Sequence, residues 1–258
     1  MSSNLSSDAK PVTFQYGNEI KLRGLVLTLF FRCSQPVLEQ HLRSTLESIG
    51  ADANPAADGV WIVQAADSDG EADLRIAMST DRHDPALDPQ IDHRFDVDGS
   101  VLDDCAALVI APERVGQYGD PVEILHAQAA LALTLSNADA MAVHWDGASV
   151  LMGAGYFRRM AAIWLEGGAF PALGLAALVR QDDGVVRSVG LDLLVGQDVA
   201  VLPSDNMAPP DQARLAMRMM DFLVREGPVQ ADQTVEVDGF GPVNVQIDAN
   251  KGLLNLSR

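Results

Sequence analysis

Leu25-Val-Leu-Thr-Leu-Phe-Phe31 is a near-continuous apolar run closed by Arg32. It lacks the alternation of a strand with one wet face, and it is far too short to cross a bilayer, which takes about 20 residues. Such a run predicts a strand buried on both sides. Lys21–Arg32 is therefore expected as an interior strand, and Cys105-Ala-Ala-Leu-Val-Ile-Ala111 as a second. Either would invite aggregation if it lay on a sheet edge.

Outward from the first run, Ser34 and Pro36 signal a helix start. Leu38, Leu42, Thr45 and Ile49 follow at helical spacing, and Gly50 closes the helix. Val60–Ala65 and Asp73–Ser79 read as strands joined across Asp67-Ser-Asp-Gly70. Asp120-Pro-Val-Glu123 opens a second helix with an acidic cap and a proline at the first helical position. That helix runs to about Asn137 and is apolar nearly all round, so it should be covered on most sides. Ala140–Trp145 is a short strand and Ala154–Leu165 a third helix. Leu173–Arg180 and Val185–Leu194 form a hairpin over Asp182-Asp-Gly184, and Asp198–Leu202 continues as a strand. Pro209–Arg225 is an amphipathic helix, with Asp221 and Arg225 spaced for an i,i+4 pair. Thr234–Val237, Val243–Ile247 and Leu253–Leu256 are closing strands.

These elements predict an α+β fold of mixed and antiparallel sheets with packed helices. In the first half, leaving out one strand yields the βαββαβ order of ferredoxin-like units. Residues 1–12 are expected as a flexible tail. Residues 13–258 are expected as a single compact, two-lobed α+β domain, with lobes 13–146 and 147–258.

The chain has 258 residues, and its 36 acids against 18 bases give a net charge of −18. That balance argues against nucleic acid and against anionic membranes as partners, since both require a basic footprint. Thr80–Asp104 concentrates the acidity: eight aspartates, no glutamate, and Arg82 and Arg94 as its basic residues. Pro85 and Pro89 interrupt regular structure there. A long, exposed and mobile connection is expected, with a short strand near Arg94–Val97. Asp81, Asp84, Asp88, Asp92, Asp96 and Asp98 are the candidate partner-binding residues, and a basic protein is the partner their charge selects.

Catalytic and cofactor motifs are weaker. His83, Asp84, Asp88, Asp92 and His93 are residue types that hold a divalent metal, but their spacing matches no metal motif. Asp96-Val-Asp98-Gly99 fails as a calcium loop, because Arg94 and Cys105 fall at its first and twelfth ligand positions. Gly147-Ala-Ser149-Val-Leu151 lacks the closing glycine of a nucleophile elbow. Gly153-Ala-Gly155 begins like a dinucleotide fingerprint, but Arg158 stands where its last glycine belongs. His144, at a strand end before Trp145-Asp146, is a candidate functional histidine, and Trp145 reads as a lid on the core. His126 and His41 read as satisfied core histidines. No cofactor is expected. Cys33 and Cys105 fit no zinc spacing and read as buried free thiols in a reducing cytoplasm.

In Ala106–Trp145 and Gly174–Ile247, an apolar strand ends in Ala111-Pro112, followed by a buried helix, Ala142-Val-His-Trp145 and an aromatic-bearing helix. A hairpin with Gly190-Leu191 and Gly196 comes next, then an amphipathic helix into Ala231-Asp-Gln-Thr234. This order resembles the bacterial family catalogued as domain of unknown function 4261. Of the acidic residues that family carries just after Gly196, this chain keeps Asp198. The resemblance implies the α+β fold and a bacterial cytoplasmic setting, and it implies no activity.

The expected function is a non-catalytic cytoplasmic binding protein, of the immunity or adaptor kind, that masks a basic protein. One alternative is a self-assembling structural subunit, a homo-oligomer joined by strand edges or by the Met217–Met220 helix. The other is a metal-assisted hydrolase using His83, Asp84, Asp92 and His93.

Overall fold

The computed structural model describes residues 24–56, 60–64, 73–79, 86, 88–102, 104–113, 120–136, 139–205 and 207–258. The expected tail, 1–12, and the Asp67–Gly70 turn lie outside the described residues.

The first sheet is built around β1 (Leu27–Phe31) and β5 (Ala106–Pro112). It also holds β2 (Val60–Gln64), β3 (Asp73–Ser79), β4 (His93–Phe95), β6 (Ala140–Trp145) and β7 (Val150–Gly153). Their spatial order is β2-β3-β5-β1-β6-β7-β4. Both apolar runs are interior. β1 pairs antiparallel with β5 on one side and with β6 on the other, and β5 lies between β1 and β3. The two faces of β1 explain its composition. Leu27, Leu29 and Phe31 enter the main core, whereas Phe30 enters a second cluster with Ala107, Ala142 and Leu151.

The helices α1 (Gln35–Ser48) and α2 (Pro121–Leu135) complete the motif. With β2 and β4 left out, the chain runs β1-α1-β3-β5-α2-β6, and these strands stand in the order β3-β5-β1-β6. Each helix thus joins two parallel strands with one antiparallel strand between them, which is the ferredoxin-like arrangement. β2 is added outside β3, and β7 and β4 outside β6. Asp120 caps α2, its carboxylate accepting from Val122 N at 2.9 Å. α2 packs against α1, β1 and β5 on one side and against two later helices on another, as its all-round apolarity required.

Those later helices are α3 (Ala154–Leu165) and α4 (Asp192–Val195). The second sheet contains β8 (Ala177–Arg180), β9 (Val186–Val189) and β10 (Asp198–Val201). β11 (Gln233–Val237), β12 (Gly241–Asp248) and β13 (Leu253–Ser257) complete it in the order β11-β12-β13-β10-β9-β8. Its pairs are antiparallel except β10 with β13. α5 (Pro209–Glu226) covers β9 and β10. One continuous apolar cluster runs through both sheets and their helices. The turns after β6 and β9 touch at this junction. A Cβ on Gly190 would lie 2.4 Å from the Gly147 carbonyl oxygen, and Gly190 has φ +82°, so both space and backbone demand glycine there.

Several expectations need correction. The first sheet runs to Gly153 and the second begins at Ala177, with α3 between them. The arm Val185–Leu194 stops being strand at Val189, because Gly190 turns the chain into α4. Met219 and Met220 are core residues, whereas Met217 is partly exposed and Arg218 exposed. His126 is exposed and meets Trp164 edge-on at 5.1 Å, so it is not a core histidine. His41 is satisfied, its Nε2 bonded to the Leu135 carbonyl at 2.8 Å.

Cys33 and Cys105 are both free thiols. Both follow or precede the same end of the β1–β5 ladder, but Cys33 packs on the main core and Cys105 on the opposite face. The sheet therefore separates them. Burial and the nearby Asp139 push the Cys33 thiol up from its ordinary value. No helix among the described residues is long and apolar enough to cross a membrane.

Candidate functional site: an acidic ridge on the back of the first sheet

α1 and α2 cover one face of the first sheet. The other face is covered by the acidic segment itself. Val101 is buried against Phe30, Ala107, Ala142 and Leu151, with Ile91, Val97 and Leu102 packed around it. From 88 to 102 the segment is therefore not the structureless connection expected from its aspartates and prolines. Where it is described, it is a sheet cover with an apolar underside.

Its burial alternates from 88 to 98. Pro89, Ile91, His93, Phe95 and Val97 are half-buried, and Asp88, Gln90, Asp92, Arg94, Asp96 and Asp98 are exposed. That is the period of an extended chain lying on a surface. β4 anchors it by parallel pairing with β7, Arg94 opposite Leu151. Asp92 N and His93 N both donate to the Ser149 carbonyl, at 3.0 and 3.1 Å. Phe95 meets Tyr156 of α3, ring centroids 4.5 Å apart. The chain then kinks at Asp96, which adopts φ +52°, a conformation aspartate tolerates better than most residues. Its carbonyl oxygen lies over Gly153, where an added Cβ would come within 2.1 Å.

Four of the candidate residues, Asp88, Asp92, Asp96 and Asp98, thus share one outward face, together with one cation, Arg94. Asp92 accepts from the Gln90 side chain at 3.0 Å, and Asp98 accepts from Ser100 N at 3.2 Å, opening a short 3-10 turn at Gly99–Leu102. Asp96 stands 4.0 Å from Arg159, an exposed pair that contributes little. Asp81 and Asp84 lie outside the described residues, as does His83. Asp92 and His93, being neighbours on an extended strand, take opposite faces and cannot share one ion easily. Among the described residues, no group of three or more His, Cys, Asp or Glu is gathered to hold a metal.

Sequence reasoning missed what clamps the ridge. His144 is buried on β6, directly opposite Thr28 of β1, and its Nε2 bonds the Gln90 carbonyl at 3.0 Å. Because a carbonyl only accepts, Nε2 carries the proton. Burial lowers the His144 pKa below its ordinary 6.5, and the Gln90 hydrogen bond opposes that in part. The sign follows from proton counts. Below pH 6.5 the unfolded chain binds this proton before the native chain does, so the stability His144 contributes is full above 6.5 and is lost as pH falls through its native value. Urea melts should show wild-type protein losing more stability from pH 7 to about 5 than His144→Gln, and the ridge amides exchanging first. Equal slopes for the two proteins would contradict the clamp.

Asp198 is buried in β10. It accepts from Ser188 Oγ at 2.7 Å and Leu191 N at 3.2 Å, with Arg187 at 3.6 Å. Burial is the largest effect on it and raises its carboxyl pKa. Its bonds fasten the turn into α4 to β10, a structural task. Arg158, where the dinucleotide fingerprint fails, donates to the Ser136 carbonyl at 2.9 Å and so closes the end of α2. Trp145 is fully buried on the interior strand β6 and belongs to the main core, not to a lid over it.

No protein-family model, curated protein or solved structure matches the chain. Roles are therefore assigned from its own geometry.

Proposed function

We propose that this is a non-catalytic, cytoplasmic binding protein that masks a basic protein partner with the acidic ridge, in the manner of an immunity or adaptor protein. One observation carries this: the alternation from 88 to 98 turns Asp88, Asp92, Asp96 and Asp98 outward while apolar residues fix their backbone to the sheet. Carboxylates held on a sheet keep their positions before the partner arrives, so less ordering is lost on binding. Complementary charge raises the association rate and rejects acidic competitors.

Changing those four aspartates to asparagine removes four charges and keeps their size and acceptor oxygens. Stability should hold or rise slightly, since like charges no longer repel and the Asp98 cap can be kept by Asn. Association with the partner should slow about tenfold or more at low salt, with the deficit shrinking near 1 M, where the screening length is about 3 Å. Unfolding of the variant would make the aspartates structural, and an unchanged association rate would remove them from the interface.

A further inference from the structure

We propose that a groove of about 730 Å³ between α3, α5 and the β11–β12 turn binds an aliphatic monocarboxylate, with Arg218 holding the carboxylate. This site is separate from the ridge and does not depend on it.

Its floor is apolar and adaptable. Met160, Phe170, Met217 and Phe240 line it. Methionine is suited to flexible hydrocarbon because its unbranched chain refits to shape. A volume of this size lies within the range of small-ligand pockets.

The charge of the wall supplies the other half. Asp211, Arg214, Arg218 and Asp221 stand at positions i, i+3, i+7 and i+10 of α5, along one stripe, and all four line the groove. The outer acids are already used. Asp211 pairs with Arg214, and Asp221 pairs with Arg225 at 3.2 Å while accepting from Phe170 N at 2.8 Å. Arg218 forms no ion pair among the described residues and sits one turn from Arg214, a like-charge spacing that costs helix stability. In a chain of net charge −18, a cation without a carboxylate partner at the centre of a groove is best satisfied by an anion from outside.

The anion is singly charged and carbon-borne. Pro209 and Pro210 open α5 without N–H groups and Asp211 follows, so this helix start offers no phosphate cradle. Asp238 on the opposite wall repels a dianion more than a monoanion. Arg258 also lines the groove, so the assignment to a monoanion rests on Asp238 and on the Arg218 guanidinium fork, which matches one carboxylate in a bidentate pair.

Calorimetric titration of the intact chain with octanoate, 1-octanol, acetate and inorganic phosphate tests this. Octanoate should bind saturably, with octanol, acetate and phosphate each at least tenfold weaker. Arg218→Gln, an exposed change on a helix face, should weaken octanoate at least tenfold while the melting temperature holds or rises slightly, and Met217→Gln should weaken it through the floor. The four-asparagine ridge variant should bind octanoate as wild type does, which separates this site from the proposed function. No saturation by about 10 mM octanoate, a range that still reports very weak ligands, would overturn the proposal. Equal binding of octanol would reduce the site to an apolar groove, equal binding of phosphate to a general anion site, and an unchanged Arg218→Gln titration would remove the arginine; each result overturns it.

Discussion

Leu27→Asp should yield no soluble, folded protein. Leu27 is fully buried and lies between Ile110 of β5 and Trp145 of β6 at the centre of the first sheet. Its side chain faces the main core under α1 and α2, where a carboxylate would meet hydrocarbon. An unpaired buried charge costs several kcal/mol, and a domain has only about 5–15 kcal/mol in total. Leu27→Ala separates polarity from volume: it creates a cavity, costs about 2–5 kcal/mol, and should leave a weakened but foldable chain. Soluble yield and urea melts measure both. A Leu27→Asp protein with wild-type yield and melting temperature would mean that the sheet is not centred on β1.

Gly153→Val should release the ridge. Gly153 ends β7 and caps α3, and the backbone oxygen of Asp96 occupies the space a side chain would take, 2.1 Å from an added Cβ. A backbone oxygen cannot swing aside as a flexible side chain can. Either β4 lifts from β7 or the start of α3 moves, and forcing atoms into a packed site costs about 1–3 kcal/mol, with valine at the upper end. Amide exchange should rise first at 92–97, where the Ser149 carbonyl holds two N–H groups. Gly155→Ala is the matched control. An added Cβ there meets nothing within 4 Å, and alanine favours the helix by up to about 1 kcal/mol, so stability should hold or rise. Full stability and unchanged exchange in Gly153→Val would mean that Asp96 does not rest on β7.

The parts of the fold legible in the sequence were those with a single, sustained signal. Leu25–Phe31 and Cys105–Ala111 are buried on both faces, and such burial leaves no polar alternation to misread. α5 shows its period because Leu215, Met219 and Leu223 face the core while Arg214, Arg218 and Arg225 remain wet. The acidic segment was misjudged because its aspartates dominate its composition. Yet the alternation of Phe95 and Val97 with Asp96 and Asp98 was present, and it is the mark of a strand with one wet face. β7 was missed because Val150–Gly153 is four residues wedged between a turn and a helix, too short to show any period. The His144–Gln90 bond joins residues 54 apart and leaves no local trace. The groove had one faint signal, the like-charge Arg214–Arg218 spacing, which looks the same as a solvated helix face until Phe240 and Arg258 are seen across from it.

The ridge as a binding face is tested most directly by capture from an extract of the source cells, with wild-type protein and the variant carrying asparagine at 88, 92, 96 and 98 as parallel baits. Each capture is quantified at low and high salt. Wild type should retain a basic protein at near-equimolar amount in low salt, and the variant should retain much less of it, with the difference narrowing as salt rises. An empty wild-type capture, or one equimolar protein held alike by both baits, would contradict a partner bound through Asp88, Asp92, Asp96 and Asp98.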